Sequence, residues 1–321
     1  SGLPVLKDRI SEYYKWKYKV SINPANIIIS VGTSTIFRNL YYLLTSGECD
    51  EVLLPLPYYS LYHFSGLLTQ AKIKYYKIDI NSLKFDRQSF IENFTDNTKI
   101  VVINSPGNPL GNILTRDDLN FIDSFVKARA TVINDEIYGN ICFDEPSLSV
   151  MELKDTQTQF ITTNSFSKGY RMYSRRVGYC IVPDELVLPL TVIQHHTLLT
   201  TDPVVQFGAI AALDHQEEVE YLCKLYKDRR DYTMEIFESI NDVKALRSCG
   251  SFYMTLDCAD FMTKNNIESS LELAMKIIET TNVATVPGSD FGLPNTLRLS
   301  FTCSKYDDGI RRLAEFFKNY K

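Results

Sequence analysis

The chain has 321 residues, 45% of them hydrophobic, with a formal net charge of -5 and a pI near 5.5. That composition supplies one large or two ordinary globular cores and lies far from a disordered one. No lysine–arginine block follows a phosphate backbone or an anionic bilayer, and no apolar run approaches the roughly 20 residues that span a membrane, so nucleic acid and membrane are excluded as expected partners.

In chain order, β-branched runs alternate with amphipathic ones: "NIIIS", "TSTIFRNLYYLLT", "EVLLP", "YSLYHFSGLLTQ", "KIKYYKI", "RQSFIENF", "KIVVIN", "RDDLNFIDSFVKAR" and "ATVIND". This rhythm predicts an α/β fold, a mostly parallel central sheet flanked by helices. Strands at "QFITTN" and "VGYCIV" extend the sheet. From Pro203 to about Ile240 the apolar spacing predicts one or two long helices bridging to a smaller α+β unit. That unit contains "SFYMTLDC", "SLELAMKIIETT", "VATVPG", "TLRLSFTC" and "YDDGIRRLAEFFKNY". The expected division is a large domain at 1–230 and a small C-terminal domain at 231–321.

Ligands of open parallel sheets sit beyond the carboxyl ends of the strands. After "NIIIS", the residues Gly32, Thr33 and Ser34 open a helix whose free N–H groups and hydroxyls suit an anion such as phosphate; equally, Thr33 or Ser34 can simply cap that helix. After "KIVVIN", the turn "SPGNPLGN" leaves Asn104 and Asn108 presenting amides, or is an ordinary loop. After "ATVIN" comes Asp135, a carboxylate that needs a cationic partner if buried, with a structural salt bridge as the plain alternative. In "TTNSFSKGYRMYSRRVGY", Ser165 and Lys168 end another strand, with Arg171, Arg175 and Arg176 just beyond. Such a lysine is usually solvated, yet among neighbouring cations its ammonium form is disfavoured and the amine becomes a nucleophile.

Taken together in order, these motifs resemble the fold type I, class I/II aminotransferases, which use pyridoxal 5'-phosphate. The shared features are Asn108 in the asparagine-proline-glycine turn, Asp135 with Tyr138, Ser165 with Lys168, and Arg176 eight residues past that lysine. The resemblance continues through "GSFYMTLD", "VPGSDFG" and "TLRLSFT" and so covers nearly the whole chain.

The resemblance implies a role for each residue. Lys168 would form a Schiff base with the cofactor aldehyde and later move the substrate α-proton. Asp135 would hold the pyridine nitrogen protonated, and Asn108 and Tyr138 would bond the phenolic oxygen. Gly32, Thr33, Ser34, Ser165 and Arg176 would hold the phosphate. Tyr59 matches the ring-stacking aromatic, and Arg298 the arginine that takes the substrate α-carboxylate, with Asn108 beside it.

Leu110 stands where the family usually has threonine, which is expected to change packing more than chemistry. "SGLPVLKDRISEYY" matches a helix that in relatives follows an N-terminal arm covering the site, so that arm is expected to be either absent or disordered. A homodimer is expected, with amino-acid and 2-oxo-acid substrates. Rivals on the same scaffold are a β-lyase, a decarboxylase, a side-chain cyclase or a synthase, and a non-catalytic cofactor-binding regulator. Seven cysteines without C-x-x-C spacing and no signal-peptide pattern predict a cytoplasmic protein. His63, His195, His196 and His215 show no metal-ligand spacing, and no metal is expected.

Overall fold

The computed structural model describes residues 2–320. A seven-stranded sheet has the order β1-β7-β6-β5-β4-β2-β3. Its strands are β1 (Ile27–Ser30), β2 (Glu51–Leu56), β3 (Lys72–Lys77), β4 (Thr98–Asn104), β5 (Thr131–Asp135), β6 (Gln159–Ser165) and β7 (Gly178–Ile181). All run parallel except β7, which lies antiparallel between β1 and β6.

The central strands are apolar on both faces because helices cover both. Ile100 and Val102 of β4 and Ile133 of β5 pack with Ile36, Phe37 and Leu40 of α2 (Gly32–Leu44) and Tyr62 of α3 (Ser60–Leu68). The alternate residues Val101, Ile103 and Val132 face Phe90 of the helix Arg87–Asn93 and Leu119 and Ile122 of the helix Arg116–Val126. Asp135 is two residues beyond Ile133 and so points to the α2–α3 side, an alternation that decides which helices can reach it.

The N-terminal helix, α1 (Pro4–Tyr18), packs its Leu6, Ile10 and Tyr14 against Ile27, Ile29 and Tyr179 at the sheet edge. The expected bridge is two helices, Pro203–Leu213 and Gln216–Phe237, broken at Asp214–His215. The first packs Ala209 and Leu213 beside α1, whereas the second sends Leu222, Tyr226 and Phe237 into the core of a second sheet. Residues 230 and 231, the expected domain division, fall inside that second helix; the end residues of the two expected ranges, Ser1 and Lys321, lie outside the described residues.

The second sheet is antiparallel, with order β10-β11-β9-β8, from β8 (Lys244–Leu246), β9 (Tyr253–Asp257), β10 (Val286–Pro287) and β11 (Thr296–Ser300). The two units meet at the turn after β4. The carbonyl of Gly111 accepts the N–H groups of Cys249 and Gly250 at 3.0 and 3.1 Å, and Thr255 Oγ1 donates to the Pro109 carbonyl at 3.1 Å. Gly111 has φ +67°, and a Cβ there would lie 2.5 Å from the Gly250 carbonyl oxygen, so only glycine allows this approach. No helix among the described residues is long and apolar enough to cross a membrane.

Candidate active site

The carboxyl ends of β1, β5 and β6 and one residue of β11 converge on a single cavity lined by Thr33, Ser34, Tyr59, Asn108, Asp135, Tyr138, Lys168, Arg176 and Arg298. Gly32 lies behind its wall as the first residue of α2.

The anion-binding corner is built by backbone. The N-cap of α2 is Val31, which has no side-chain capping bond, so neither Thr33 nor Ser34 serves as the cap that was the plain alternative. Uncapped N–H groups and the positive end of the helix dipole therefore face the cavity. Gly32 has φ +74°, and a Cβ on it would collide with Nη2 of Arg176. A Cβ on Gly178 would lie 2.8 Å from the Gly32 carbonyl carbon. Two glycines thus let the guanidinium and β7 close on the helix end. Arg176 donates to the Tyr173 carbonyl at 3.1 Å and forms no ion pair with a carboxylate among the described residues. Ser165 does not line the cavity: its hydroxyl donates to the Val177 carbonyl at 2.8 Å and accepts the Ser167 N–H at 3.0 Å. Ser167 lines the cavity in its place.

At the end of β5, Asp135 is 2% exposed. Tyr62 donates its hydroxyl to Oδ2 at 2.7 Å, and Ile137 N–H donates to Oδ1 at 3.2 Å. Burial raises this carboxyl from its ordinary value to about 6, against the lowering effect of those donors and of the Lys168 charge. Among the described residues Asp135 makes no salt bridge, which was the alternative reading. Tyr62 was not foreseen as a partner; it shares a helix face with Tyr59 by its i+3 spacing, which was the available signal. Glu136, next in sequence, faces away toward Tyr14, Ser149 and Asn134 and is likewise raised by burial, to about 7.

Lys168 has its pKa lowered, first by burial and then by Arg298 and Arg176. Its Nζ lies 5.1 Å from the ring centre of Phe252 and 5.5 Å from that of Tyr173. The depressing cations therefore differ in part from those the sequence placed beside it, because Arg171 and Arg175 are exposed and do not line the cavity.

The opposite wall holds Arg298. Its guanidinium carbon lies 4.8 Å from the Tyr253 ring centre and 4.7 Å from that of Phe291. Nη1 donates to Asn108 Oδ1 at 3.1 Å, while buried Nε has no hydrogen-bond partner among the described residues. Asn108 is itself fixed by its N–H donating to Asn104 Oδ1 at 2.9 Å. Tyr138 is buried edge-on to Phe252 and Tyr253, and burial raises its hydroxyl pKa. Tyr59 sits at the N-cap of α3 and meets Tyr62 edge-on at 5.7 Å. Phe252, Tyr253 and Tyr173 were not foreseen as walls. No group of three or more His, Cys, Asp or Glu among the described residues could hold a metal, and His195 and His196 are exposed in the last turn of the helix Asp184–Leu198.

A family model described as aminotransferase class I and II matches residues 1–317. The chain belongs to that family. Among curated relatives, it is 30% identical to the probable aspartate/prephenate aminotransferase of Aquifex aeolicus (strain VF5), over 98% of this chain and 82% of that one. It is 29% identical to the aspartate aminotransferase of Bacillus sp. (strain YM-2), over 99% of this chain and 82% of that one. Among solved structures, the aromatic aminotransferase from Pyrococcus horikoshii OT3 superposes with a TM-score of 0.89 at 25% identity, covering 99% of this chain and 86% of that one. The α/β architecture, with its mostly parallel sheet and smaller second sheet, is that of the fold type I aminotransferases, and the chain is a transferase of this class.

Proposed function

We propose that this aminotransferase binds pyridoxal 5'-phosphate in the cavity through Lys168 and moves an amino group between an amino acid and a 2-oxo acid. The observation that carries the reading is Asp135, a buried carboxylate whose polar partners among the described residues are neutral donors and which faces a cavity shared with a lysine whose ammonium form is disfavoured by burial and by Arg298 and Arg176. A protonated ring nitrogen is the cation such a carboxylate lacks. Two further features fit the cofactor, an uncapped helix end closed by Arg176 and a glycine whose Cβ would obstruct that corner, and an Arg298 Nε without a partner among the described residues fits the substrate carboxylate.

Pyridoxal phosphate, when bound, supplies a carbonyl carbon that accepts amines and a ring that withdraws electrons from the neighbouring carbon. The chain supplies the rest. Asp135, steadied by Tyr62, holds the proton on the ring nitrogen. Gly32, Thr33, Ser34 and Arg176 would form the phosphate corner with Ser167, whereas Ser165, expected there, keeps its hydroxyl on the Val177 carbonyl. Tyr59 covers one side, and Asn108 and Tyr138 offer hydrogen bonds to the phenolic oxygen. Arg298 takes the substrate α-carboxylate with Asn108 alongside, a two-pronged task suited to a guanidinium held between two rings. Lys168, with its ammonium form disfavoured, acts as nucleophile and then carries a proton at the substrate α-carbon. The cofactor-holding residues fall in 1–230 and Arg298 in 231–321, so the proposed domain division also separates cofactor binding from substrate closure. We also propose a two-fold homodimer, because Phe64, Leu67, Leu68, Leu188, Val204 and Phe207 are exposed apolar side chains on helices of the large unit. A monomer of full activity in sedimentation would refute it.

The test of the function is covalent. Borohydride treatment of cofactor-loaded protein is expected to leave a pyridoxyl label on the peptide containing Lys168, and Lys168→Ala is expected to abolish amino transfer. A label on another lysine, or turnover by the alanine variant, overturns the assignment.

A further inference from the structure

We propose that Asn104 is a positioning residue that sets Arg298 against the cofactor side of the cavity through the turn it anchors, an inference that rests on the aminotransferase reading above. The chemistry assigned to the cavity leaves this amide at the end of β4 without a task. Its side chain is 6% exposed and is occupied at both ends. Nδ2 donates to the backbone carbonyl of Asp135 at 2.9 Å, and Oδ1 accepts the Asn108 N–H at 2.9 Å. The first partner lies in the strand that ends at the ring-nitrogen carboxylate, the second in the turn that presents Asn108. A carbonyl on one side and an N–H on the other call for a donor and an acceptor on one short side chain, which is what an asparagine amide supplies and an aspartate does not.

The same turn carries the contacts to the second sheet. Asn108 Oδ1 accepts Nη1 of Arg298 at 3.1 Å, and the next carbonyl, that of Pro109, accepts Thr255 Oγ1 at 3.1 Å. Thr255 of β9 stands opposite Arg298 of β11 in the sheet register, so two consecutive turn residues hold a directly paired couple of the second sheet. At its other end the turn is tied to β5, where the Asp135 carbonyl takes both the Asn104 amide and, at 3.3 Å, the Ser105 N–H. A chain of bonds therefore runs from the Asp135 carbonyl through Asn104 and Asn108 to the Arg298 guanidinium. Asn104, Asn108 and Asp135 are all buried, so these links are internal to one chain.

This chain supplies what the rings beside Arg298 do not. Tyr253 and Phe291 stand 4.8 and 4.7 Å from the guanidinium carbon, and attraction to a ring face is broad in direction. A hydrogen bond is directional, so the bond to Asn108 fixes which edge of the guanidinium is left for a carboxylate. Removal of the Asn104 amide leaves the buried Asn108 N–H without its acceptor and cuts the side-chain tie between the turn and β5. Asn108 and Arg298 then shift together relative to Lys168, and the two ends of the bound amino acid are no longer held at one spacing.

The experiment is a double-mutant cycle on the cofactor-loaded full chain. Asn104→Ala is made in the wild type and in Asn108→Ala, and kcat/KM is measured with whichever of L-aspartate, L-glutamate and L-phenylalanine the wild type uses fastest. The expected loss is at least about tenfold in the wild type, mostly as a raised KM, and less than about threefold in Asn108→Ala, where the route to Arg298 is already cut. Asn104→Thr, uncharged and suited to a strand, carries the same cycle if the alanine variant does not fold. Amide hydrogen exchange of the cofactor-free protein gives a second readout: residues 105–112 are expected to lose at least about tenfold in protection while residues 98–103 of β4 keep theirs. Equal losses in both backgrounds, a change confined to kcat, unchanged protection of 105–112, or protection lost equally over 98–103 overturns the positioning role and leaves the aminotransferase reading standing. Failure of every donor in wild-type protein carrying the label on Lys168 overturns both.

Discussion

Replacing Asp135 by Asn separates what the carboxylate does for the reaction from what it does to the fold. The folded-state pKa lies above the ordinary carboxyl value, 3.8, at about 6, because burial disfavours the charged form more than Tyr62, Ile137 and Lys168 favour it. A raised pKa means that the folded protein holds the proton more tightly than the unfolded chain. The stabilising contribution is therefore complete below about pH 4 and is lost as pH rises through about 6. Two pKa units correspond to about 3 kcal/mol, of which about half is lost above pH 5. Asparagine has nearly the same shape, can accept the Tyr62 hydroxyl and cannot ionise.

In urea unfolding of cofactor-free protein, the stability of Asp135→Asn relative to wild type is accordingly expected to rise by about 1.5 kcal/mol between pH 5 and pH 8. Glu136, buried and raised to about 7, titrates in both proteins and largely cancels in the comparison. Turnover moves the other way, with an expected fall of roughly 10²–10³-fold, the scale of losing one preorganised electrostatic partner. Saturating cofactor is expected to stabilise the wild type more at pH 8 than at pH 5, since the ring-nitrogen proton gives the carboxylate its missing cation. A variant-minus-wild-type stability that does not change with pH would refute the account of Asp135 as a buried, unneutralised carboxylate, and near-normal turnover would refute its catalytic role.

Tyr62→Phe removes the closest donor to that carboxylate, and a hydrogen bond to a charged group is worth about 1.5–3 kcal/mol. Turnover is expected to fall roughly 10- to 100-fold, with the pKa of Asp135 in the cofactor-free protein moving further up; unchanged values of both in steady-state kinetics and carboxyl titration would show that Tyr62 only fills space. Gly32→Ala places a methyl group against Arg176 at a backbone φ of +74°. Cofactor affinity is expected to weaken at least about tenfold by equilibrium titration, and wild-type affinity would show that the phosphate corner lies elsewhere.

Much of the candidate cavity's surroundings was legible because its parts stand at or just beyond strand ends, where short stretches of sequence and sheet order specify position together. Gly32 to Ser34, Asn108, Asp135 and Lys168 are all of this kind. The large-unit strands were legible from their β-branched runs for the same local reason. Other features depended on tertiary neighbours. The cap reading of Thr33 and Ser34 failed because the chain turns into α2 earlier, with Val31 at the N-cap and Gly32 already helical. The helix Asp184–Leu198, with Pro189 inside it, gave no clean apolar period, and β8 is only three residues long. Tyr62 was hidden because an i+3 tyrosine on a helix is indistinguishable in sequence from core packing, which it also does.

The cations around Lys168 show the same limit in a form that bears on function. Sequence proximity pointed to Arg171, Arg175 and Arg176, yet only Arg176 lines the cavity, and the strongest cationic neighbour, Arg298, comes from a different sheet. That difference has a mechanistic consequence. A lysine depressed by its own loop would have a fixed pKa, whereas one depressed by Arg298 responds to whatever neutralises Arg298. On the proposed assignment, an arriving α-carboxylate would cancel that guanidinium's repulsion and make the Lys168 amine a stronger base when the substrate α-proton must be taken. If Arg298 is the carboxylate receptor and Lys168 the base, as proposed, their placement on different sheets would tie proton transfer to substrate occupancy through charge.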